Sequence, residues 1–456
     1  MKLDTFFNPS SVAIIGASHT PGKVGYEILQ NFVRNEYPGK IFPINPDTAP
    51  ILGKEVYSSI LDIKDQIDLA IVAIPANVVP KVLRECVKKK IESVIVVSGG
   101  FSETGAAGKK LEDELKKIIQ KSKTRLLGPN CIGTLDAHTK LDTLFLSQSR
   151  MKRPSAGNIA FISQSGAVGS TILDWLSDEK FGISKFISYG NSSDLNEADF
   201  LEYLGKDETT KVIVMYMEGI KSEGKKFVDV LKKTVETKPV IILKAGKTEM
   251  GTKAVASHTG SLAGSARIYS AVFNQTNAIE ASDWEELFDF AKVFSTQPFP
   301  KGNKVAVITD GGGFGVLATD ECVRQGLELP EPTKDMIKLF KKIFPPHVIL
   351  HNPIDLTGDA TEERYKIAIE ACLKSKNYDG VIAITLFQVP TIKEQIVDIL
   401  TDMKKYKKPF ICCAVGSRFT KKIVEKLENN GIPVFLTPER AVKSFAALVR
   451  YSKNMR

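Results

Sequence analysis

The sequence predicts an α/β protein of three parallel-sheet domains, and three observations carry that prediction. Short β-branched or apolar runs recur along the 456 residues: SVAIIG, IFPIN, LAIVAIP, SVIVVSGG, NIAFISQSG, KFISYG, VIVMYMEG, PVIILKAG, KVAVITDGGG, GVIAITLF and PFICCAVG. Most are followed by an amphipathic stretch, such as GYEILQNFVRN or GKKLEDELKKIIQK, with apolar residues at helical spacing. Continuous apolar strands alternating with helices imply parallel sheets covered on both faces. Two joints, SQSRMKRPSAG at 147–157 and STQPFPKGNK at 295–304, then divide the series. The expected domains are residues 1–140, 141–297 and 298–456, in keeping with roughly 150 residues per domain.

Composition narrows the class of function. Hydrophobic residues at 43% and charged residues at 25% are those of a soluble globular protein. No 18-residue apolar run is present, and MKLDTFFNPS places Asp and Pro where a signal peptide needs an apolar stretch. A cytoplasmic protein without a membrane segment is expected. The net charge of +9 comes from lysines spread along helices, as in KVLRECVKKK, so solvated faces rather than a nucleic-acid surface are expected. Cys86, Cys131, Cys322, Cys372, Cys412 and Cys413 show neither CxxC nor zinc spacing, so no metal site is expected.

Ligands of parallel sheets lie beyond the carboxyl ends of the strands, so the loops there carry the chemistry. In the first domain, SVAIIGASHTPGKVG sets Gly16, Gly22 and Gly25 between a strand and a helix, which suits an anion at a helix N-terminus. It is not GxGxxG, because Ser18 stands at the second glycine, and it is not a Walker A loop. The second strand ends in Asn45-Pro46 where NAD-binding folds place an acid, which favours a phosphate-bearing adenosine ligand other than NAD. Pro75, then Ser98-Gly99-Gly100, then Pro129-Asn130-Cys131 follow the next three strands. Turns alone would explain any one of these loops, but small residues at consecutive strand ends let a long ligand lie against backbone.

In the second domain, NIAFISQSGAVGS runs from a strand through Ser163, Ser165 and Gly166 into a helix starting near Ala167. KVAVITDGGGFGVLATD repeats the arrangement in the third with Gly311, Gly312, Gly313 and Gly315. Both read as anion sites at helix N-termini. His258 lies in AVASHTGSLAG, among small and hydroxyl residues. No GxSxG elbow or HExxH is present to make it a triad base or a metal ligand, which leaves a nucleophile toward phosphorus as the functional alternative to a structural histidine. Such a histidine needs a carboxylate on its other ring nitrogen. Glu218, just past VIVMYM, is one candidate, although an acid there is also a common cap or salt-bridge partner.

The Gly-rich first loop, SQSGAVG, YGN, the strand-end Glu, SHTGS and GGGFG occur in this order over nearly the whole chain. As a set they resemble the α subunit of an NDP-forming acyl-CoA synthetase, in particular the archaeal ADP-forming acetyl-CoA synthetase. The first two domains are similar to the α subunit of succinyl-CoA synthetase. The resemblance implies a Rossmann-like CoA-binding domain followed by two flavodoxin-like ligase domains. It implies the reaction acyl-CoA + ADP + phosphate = acid + ATP + CoA, through an acyl phosphate and a phosphohistidine. By the resemblance, CoA lies on Gly16, Ser18, Lys23, Val24, Asn45, Pro46, Pro75, Ser98 and Gly99. His258 takes the phosphoryl group, Glu218 orients the ring, and Ser165, Gly166 and Ala167 with Gly312, Gly313 and Phe314 hold phosphate. Asn130, Tyr189, Asn191 and Asp194 border the acyl pocket.

Two departures from the family stand out. Many members carry an ATP-grasp module in the same polypeptide, whereas no such region follows the third domain here. ADP/ATP and Mg2+ are therefore expected on a separate ATP-grasp β subunit, in an α2β2 heterotetramer. Many members also have Lys after Asn-Pro, where this chain has Asp47; Lys54 is a candidate substitute. The acyl phosphate and the nucleotide would bind in different places, so the segment with His258 is expected to be a moving loop, with Gly251, Gly260 and Gly264 permitting motion. The alternatives are an NAD-dependent oxidoreductase, which would leave SHTGS and GGGFG unexplained, and a non-catalytic CoA-binding regulator, which would need no nucleophile.

Overall fold

A computed structural model describes residues 3–179, 181–259 and 265–455, without the side chains of 256–259. Backbone contacts divide the chain into two compact units, Met1–Ser282 and Asp283–Arg456. The first unit holds two sheets and the second holds one.

The first sheet contains β1 (Ser11–Ile15), β2 (Lys40–Ile44), β3 (Leu69–Val72), β4 (Ser93–Val96) and β5 (Arg125–Leu127), in the order β2-β1-β3-β4-β5 and all parallel. Every residue of β1, β3 and β4 is buried, as continuous apolar runs require when both faces are covered. The connecting helices are α1 (Val24–Arg34), α2 (Val79–Lys88) and α3 (Ala106–Gln120).

The second sheet contains β6 (Gly133–Asp136), β7 (Leu141–Asp142), β8 (Ala156–Ser163), β9 (Ile183–Ser188), β10 (Val212–Met217), β11 (Val240–Lys244) and β12 (Ile279–Ala281). Its order is β12-β11-β10-β8-β9-β6-β7, with β6 antiparallel to β9 at one side. The chain therefore changes sheet at 128–132, ahead of residue 140. The helices are α4 (Gly166–Asp178), α5 (Glu197–Lys206), α6 (Gly224–Val235), α7 (Glu249–Thr259) and α8 (Ala266–Thr276).

The second unit opens with α9 (Trp284–Thr296) and continues through β13 (Val305–Thr309), α10 (Gly312–Arg324), α11 (Lys334–Ile343), β14 (Ile349–Leu350), β15 (Ile354–Asp355) and α12 (Glu362–Lys374). It ends with β16 (Gly380–Thr385), α13 (Ile396–Asp402), β17 (Phe410–Ala414), α14 (Arg418–Asn429), β18 (Val434–Phe435) and α15 (Pro438–Asn454). The sheet order is β14-β15-β13-β16-β17-β18. The joint at 295–304 follows α9, yet α9 packs with this sheet's helices. Arg440 of α15 forks onto the buried Asp289 at 2.7 and 2.6 Å, and Lys443 reaches Glu286 at 3.0 Å. The partner of a helix's buried face decides where it belongs, and sequence spacing does not reveal that partner.

The three parallel cores share one connection order. In each, the second strand lies on one side of the first and the third lies on the other, so β1 neighbours β3, β8 neighbours β10, and β13 neighbours β16. A crevice forms where the winding reverses, outside the carboxyl ends of those strand pairs. Among the described residues no helix is long and apolar enough to cross a membrane.

Candidate functional site

At the β1/β3 reversal, Gly16 has φ +90°, and a Cβ there would lie 2.3 Å from Ala73 O. A Cβ on Gly25 would lie 1.9 Å from Gly16 O, so only glycine lets α1 start this close to the strands. Asn45 locks the neighbouring loop: its Nδ2 donates to Ala17 O at 2.6 Å and its Oδ1 accepts Asp47 N at 2.8 Å. The Asp47 carboxylate in turn accepts Ala49 N at 3.1 Å. Ser18 Oγ accepts Thr20 N, and Ser98 Oγ donates to Ile74 O at 2.5 Å. Asn45, Ser18 and Ser98 thus shape the crevice through bonds inside the protein. Lys23, Val24, Pro46, Pro75 and Gly99 are exposed around it, offering a cation, apolar surface and uncovered backbone to a long anionic ligand.

At the β8/β10 reversal the chemistry is denser. Ser165 caps α4, its hydroxyl accepting Val168 N at 3.4 Å, while Ser163 Oγ donates to Ser165 O at 2.6 Å. Gly166 is half-buried and Ala167 exposed, so the first-turn N–H groups, which have no partner within a helix, are left open, as an anion would require. Glu218 follows β10 directly and is 4% exposed. Its backbone N–H and that of Gly219 both donate to Gln164 Oε1, at 2.8 and 3.2 Å. Tyr216 Oη reaches Glu218 Oε1 at 3.5 Å; burial, and then the Glu218 charge, push that phenol up to about 12.

Lys244, at the end of β11, is buried with its ammonium bonded to Ala245 O and set 4.7 Å over the Tyr269 ring. Burial pushes this lysine down from its ordinary range, and the Glu218 charge acts against that shift. Tyr269 Oη accepts Ile220 N at 3.2 Å, bracing the turn after Glu218. His258 lies in the last turn of α7, and its side chain is outside the described residues, as are Gly260 and Gly264. Residues up to Thr259 are helix rather than the expected loop. Thr248 Oγ1 accepts Gly251 N at 3.0 Å as a cap, and Ala254 and Ala256 are strong helix formers.

The expected acyl residues separate into two kinds. Asn130 and Asn191 meet, with Nδ2 of the first 3.2 Å from Oδ1 of the second. Asn191 Nδ2 in turn faces Glu103 Oε2 at 2.6 Å and Glu112 Oε2 at 3.0 Å. Burial would raise Glu103, but the Asn191 amide and the Gly100 and Phe101 N–H groups outweigh it and hold the carboxyl below its usual range. Glu103 therefore fastens the 98–101 loop of the first sheet to the β9 loop of the second. Asp194, by contrast, is occupied by Arg125 at 2.8 and 3.0 Å and by Leu126 N at 2.8 Å. Tyr189 is fully buried, and burial followed by the Glu197 and Glu218 charges drives its phenol well above 10. Tyr189 stands behind the surface, and the partly exposed Asp194 carboxylate is taken up by Arg125 and Leu126.

In the second unit, Gly311 caps α10 and Gly312 and Gly313 are exposed at its start, with Phe314 half-buried. Asp310, 3% exposed, accepts Leu386 N on both oxygens at 3.0 and 3.3 Å. Burial pushes its carboxyl up to about 6. Gln164, Glu103, Lys244 and Asp310 were not singled out by sequence reasoning. Gln164 and Asp310 directly follow a buried apolar strand and Lys244 ends one, which is a signal the sequence carries; Glu103, in the loop after β4, has none.

Residues 10–137 match a CoA binding domain, 156–294 a succinyl-CoA ligase like flavodoxin domain, and 305–455 a ligase-CoA domain. The chain is 40% identical over 462 residues to the subunit alpha of acetate–CoA ligase [ADP-forming] I of Pyrococcus furiosus, covering 99% of this chain and 98% of that relative. The chain belongs to the ADP-forming acetate–CoA ligase family. A Methanocaldococcus jannaschii member, acetate–CoA ligase [ADP-forming], is 44% identical over 97% of this chain, which spans 62% of that longer protein. Among solved structures, a Ca. Korarchaeum cryptofilum dinucleotide-forming acetyl-coenzyme A synthetase 1 in complex with phosphate and ADP superimposes with a TM-score of 0.94 at 36% identity, covering 100% of this chain and 97% of that one. The family's ligase character agrees with three sheets that each present a crevice at a strand reversal.

Proposed function

We propose that this chain is the α subunit of an ADP-forming acyl-CoA synthetase, interconverting acyl-CoA, ADP and phosphate with acid, ATP and CoA. The observation that carries the reading is the β8/β10 reversal, where a buried carboxylate, the N-terminus of α4 and the strand leading into the His258 helix share one end of one sheet. CoA lies along the β1/β3 crevice, with the pantetheine end toward the junction fastened by Glu103 and Asn191. Asn130 and Asn191 border the acyl group, and Tyr189 and Asp194 support that wall.

A phosphate oxygen attacks the thioester carbonyl and the CoA thiolate leaves, giving an acyl phosphate. A ring nitrogen of His258 then attacks phosphorus and the acyl carboxylate leaves, so that the phosphoryl group is carried on histidine. Glu218 accepts the other ring N–H, fixing the tautomer and stabilising the positive charge that develops. The N–H groups of Ser165–Ala167 and Gly312–Phe314 hold phosphoryl oxygens, because positioning and charge stabilisation do most of the work in phosphoryl transfer. ADP with Mg2+ is supplied by a separate ATP-grasp β subunit in an α2β2 assembly. The relatives of similar length named as α subunits, and the longer M. jannaschii relative, support this division. Movement of the His258 segment connects the two phosphoryl sites.

The test is co-expression with an ATP-grasp partner, addition of labelled ATP, and a search for acid-labile, base-stable label on this chain. The label is expected on the wild type and absent from His258→Ala. Label persisting in the variant contradicts the assignment.

A further inference from the structure

Gln164 lies between β8 and the cap residue Ser165, is 5% exposed, and uses its Oε1 to accept two backbone N–H groups from the turn after β10. Because both partners are donors, that end of the planar amide is oxygen and the other end is the NH2 group. The Nε2 atom has no hydrogen-bond partner among the described residues. Buried donors are almost always satisfied, so one left over beside an anion-binding helix start points to a ligand oxygen.

The second unit supplies an independent comparison. Asp310 occupies the same place relative to β13 and β16, and ties Leu386 N in the way that Gln164 ties Glu218 N. The hydroxyl before each also bonds the carbonyl of the residue after it: Ser163 Oγ donates to Ser165 O, and Thr309 Oγ1 to Gly311 O at 3.1 Å. A carboxylate, which has no N–H, thus suffices to join the two strand ends. The amide at 164 brings a donor that the joint does not need.

We propose that Gln164 is a catalytic residue whose Nε2 donates a hydrogen bond to a phosphoryl oxygen held at the N-terminus of α4, while its Oε1 fixes the backbone of Glu218. This rests on the proposed reaction and adds a side-chain contact to the phosphate site. The decisive variant is Gln164→Glu, which keeps an acceptor for Glu218 N and replaces the donor with an oxygen that repels phosphate. The full α chain with its ATP-grasp partner is assayed in the ATP-forming direction with acetyl-CoA and inorganic phosphate as probes. The expected result is a KM for phosphate raised tenfold or more, with the KM for acetyl-CoA within twofold of wild type. An unchanged phosphate KM, or both KM values rising together, overturns the proposal.

A second measurement needs no variant: a crystal structure of the wild-type chain with inorganic phosphate. Phosphate at Ser165–Gly166 within hydrogen-bond distance of Gln164 Nε2 supports the proposal, and phosphate there with Nε2 turned elsewhere overturns it. A wild type that forms no ATP from acetyl-CoA, ADP and phosphate sinks the proposed function itself, an outcome distinct from failure of the Gln164 contact.

Discussion

The second and third sheets build the same strand reversal and fill it differently. After β8 stands Gln164, tied to the backbone of Glu218; after β13 stands Asp310, tied to the backbone of Leu386. Each is followed by a cap residue and a helix whose first turn is open to a ligand. At the second sheet that helix start stands with Glu218 and a spare amide donor, whereas at the third it stands with Asp355, the last residue of β15, whose Oδ2 would lie 2.8 Å from a Cβ on Gly312. The third also holds Asp310, whose carboxyl burial pushes up to about 6. The fold therefore provides two open helix starts, and on the proposed function the side chains make the first of them reactive.

The largest expected effect separates the two strand ends. Glu218→Gln should lower single-turnover phosphorylation of the chain about 100-fold or more, since on the proposed mechanism the amide can still accept the ring N–H but carries no charge to stabilise the developing positive charge. Leu386→Val, at the matching place, should leave it within about threefold. Comparable losses would mean that both reversals serve the same step.

Stability gives the next contrast. Gln164→Leu strands two buried N–H groups and should cost about 2–4 kcal/mol in urea unfolding. Asp310→Leu removes the acceptor of Leu386 N, while Tyr365 Oη keeps its bond to Ile384 O, and it removes a carboxyl that burial disfavours, so it should cost less. The reverse order would show that the two joints are not equivalent.

Asp310 also sets a pH dependence. Its carboxyl titrates near 6 in the folded chain and near 4 when unfolded, so between those values the folded state holds more protons. Stability should fall as pH rises from about 4 to 6, by an amount of order 1–3 kcal/mol, and then level off. Asp310→Asn retains an acceptor for Leu386 N and should flatten that slope in melts across the range. An unchanged slope would place the titration elsewhere.

The smallest effect concerns the glycines one turn into each helix. A Cβ on Gly169 would lie 2.7 Å from the Phe186 ring, whereas one on Gly315 would lie 3.2 Å from Thr309 Cγ2 and 3.3 Å from Pro353 Cβ. Gly169→Ala should destabilise by about 1–3 kcal/mol. Gly315→Ala should be near neutral, because the helix-propensity gain of up to about 1 kcal/mol offsets the tighter contact.

How much of this was legible in the sequence follows from which contacts are local. Strand runs, glycine loops and helix starts are written in consecutive residues, so SQSGAVG and GGGFG could be read as helix starts directly. The role of Gln164 depends on β10 lying beside β8, some fifty residues away in sequence, and no spacing announces that neighbour. The hold of Glu103 on Asn191 crosses from one sheet to the next, and the pairing of Asp194 with Arg125 does the same. Small residues around His258 suggested a loop, but the Thr248 cap and the alanines carry a helix through Thr259. The placement of α9 turned on Arg440, more than a hundred residues downstream.

The most direct test of a reactive second sheet uses the isolated chain and acetyl phosphate, without nucleotide or partner. The account predicts that a phosphoryl group appears on His258, detected by phosphorus NMR and peptide mass spectrometry, and that Glu218→Gln slows its appearance while Asp310→Asn does not. Phosphorylation at another residue, or none at all from acetyl phosphate, would contradict it.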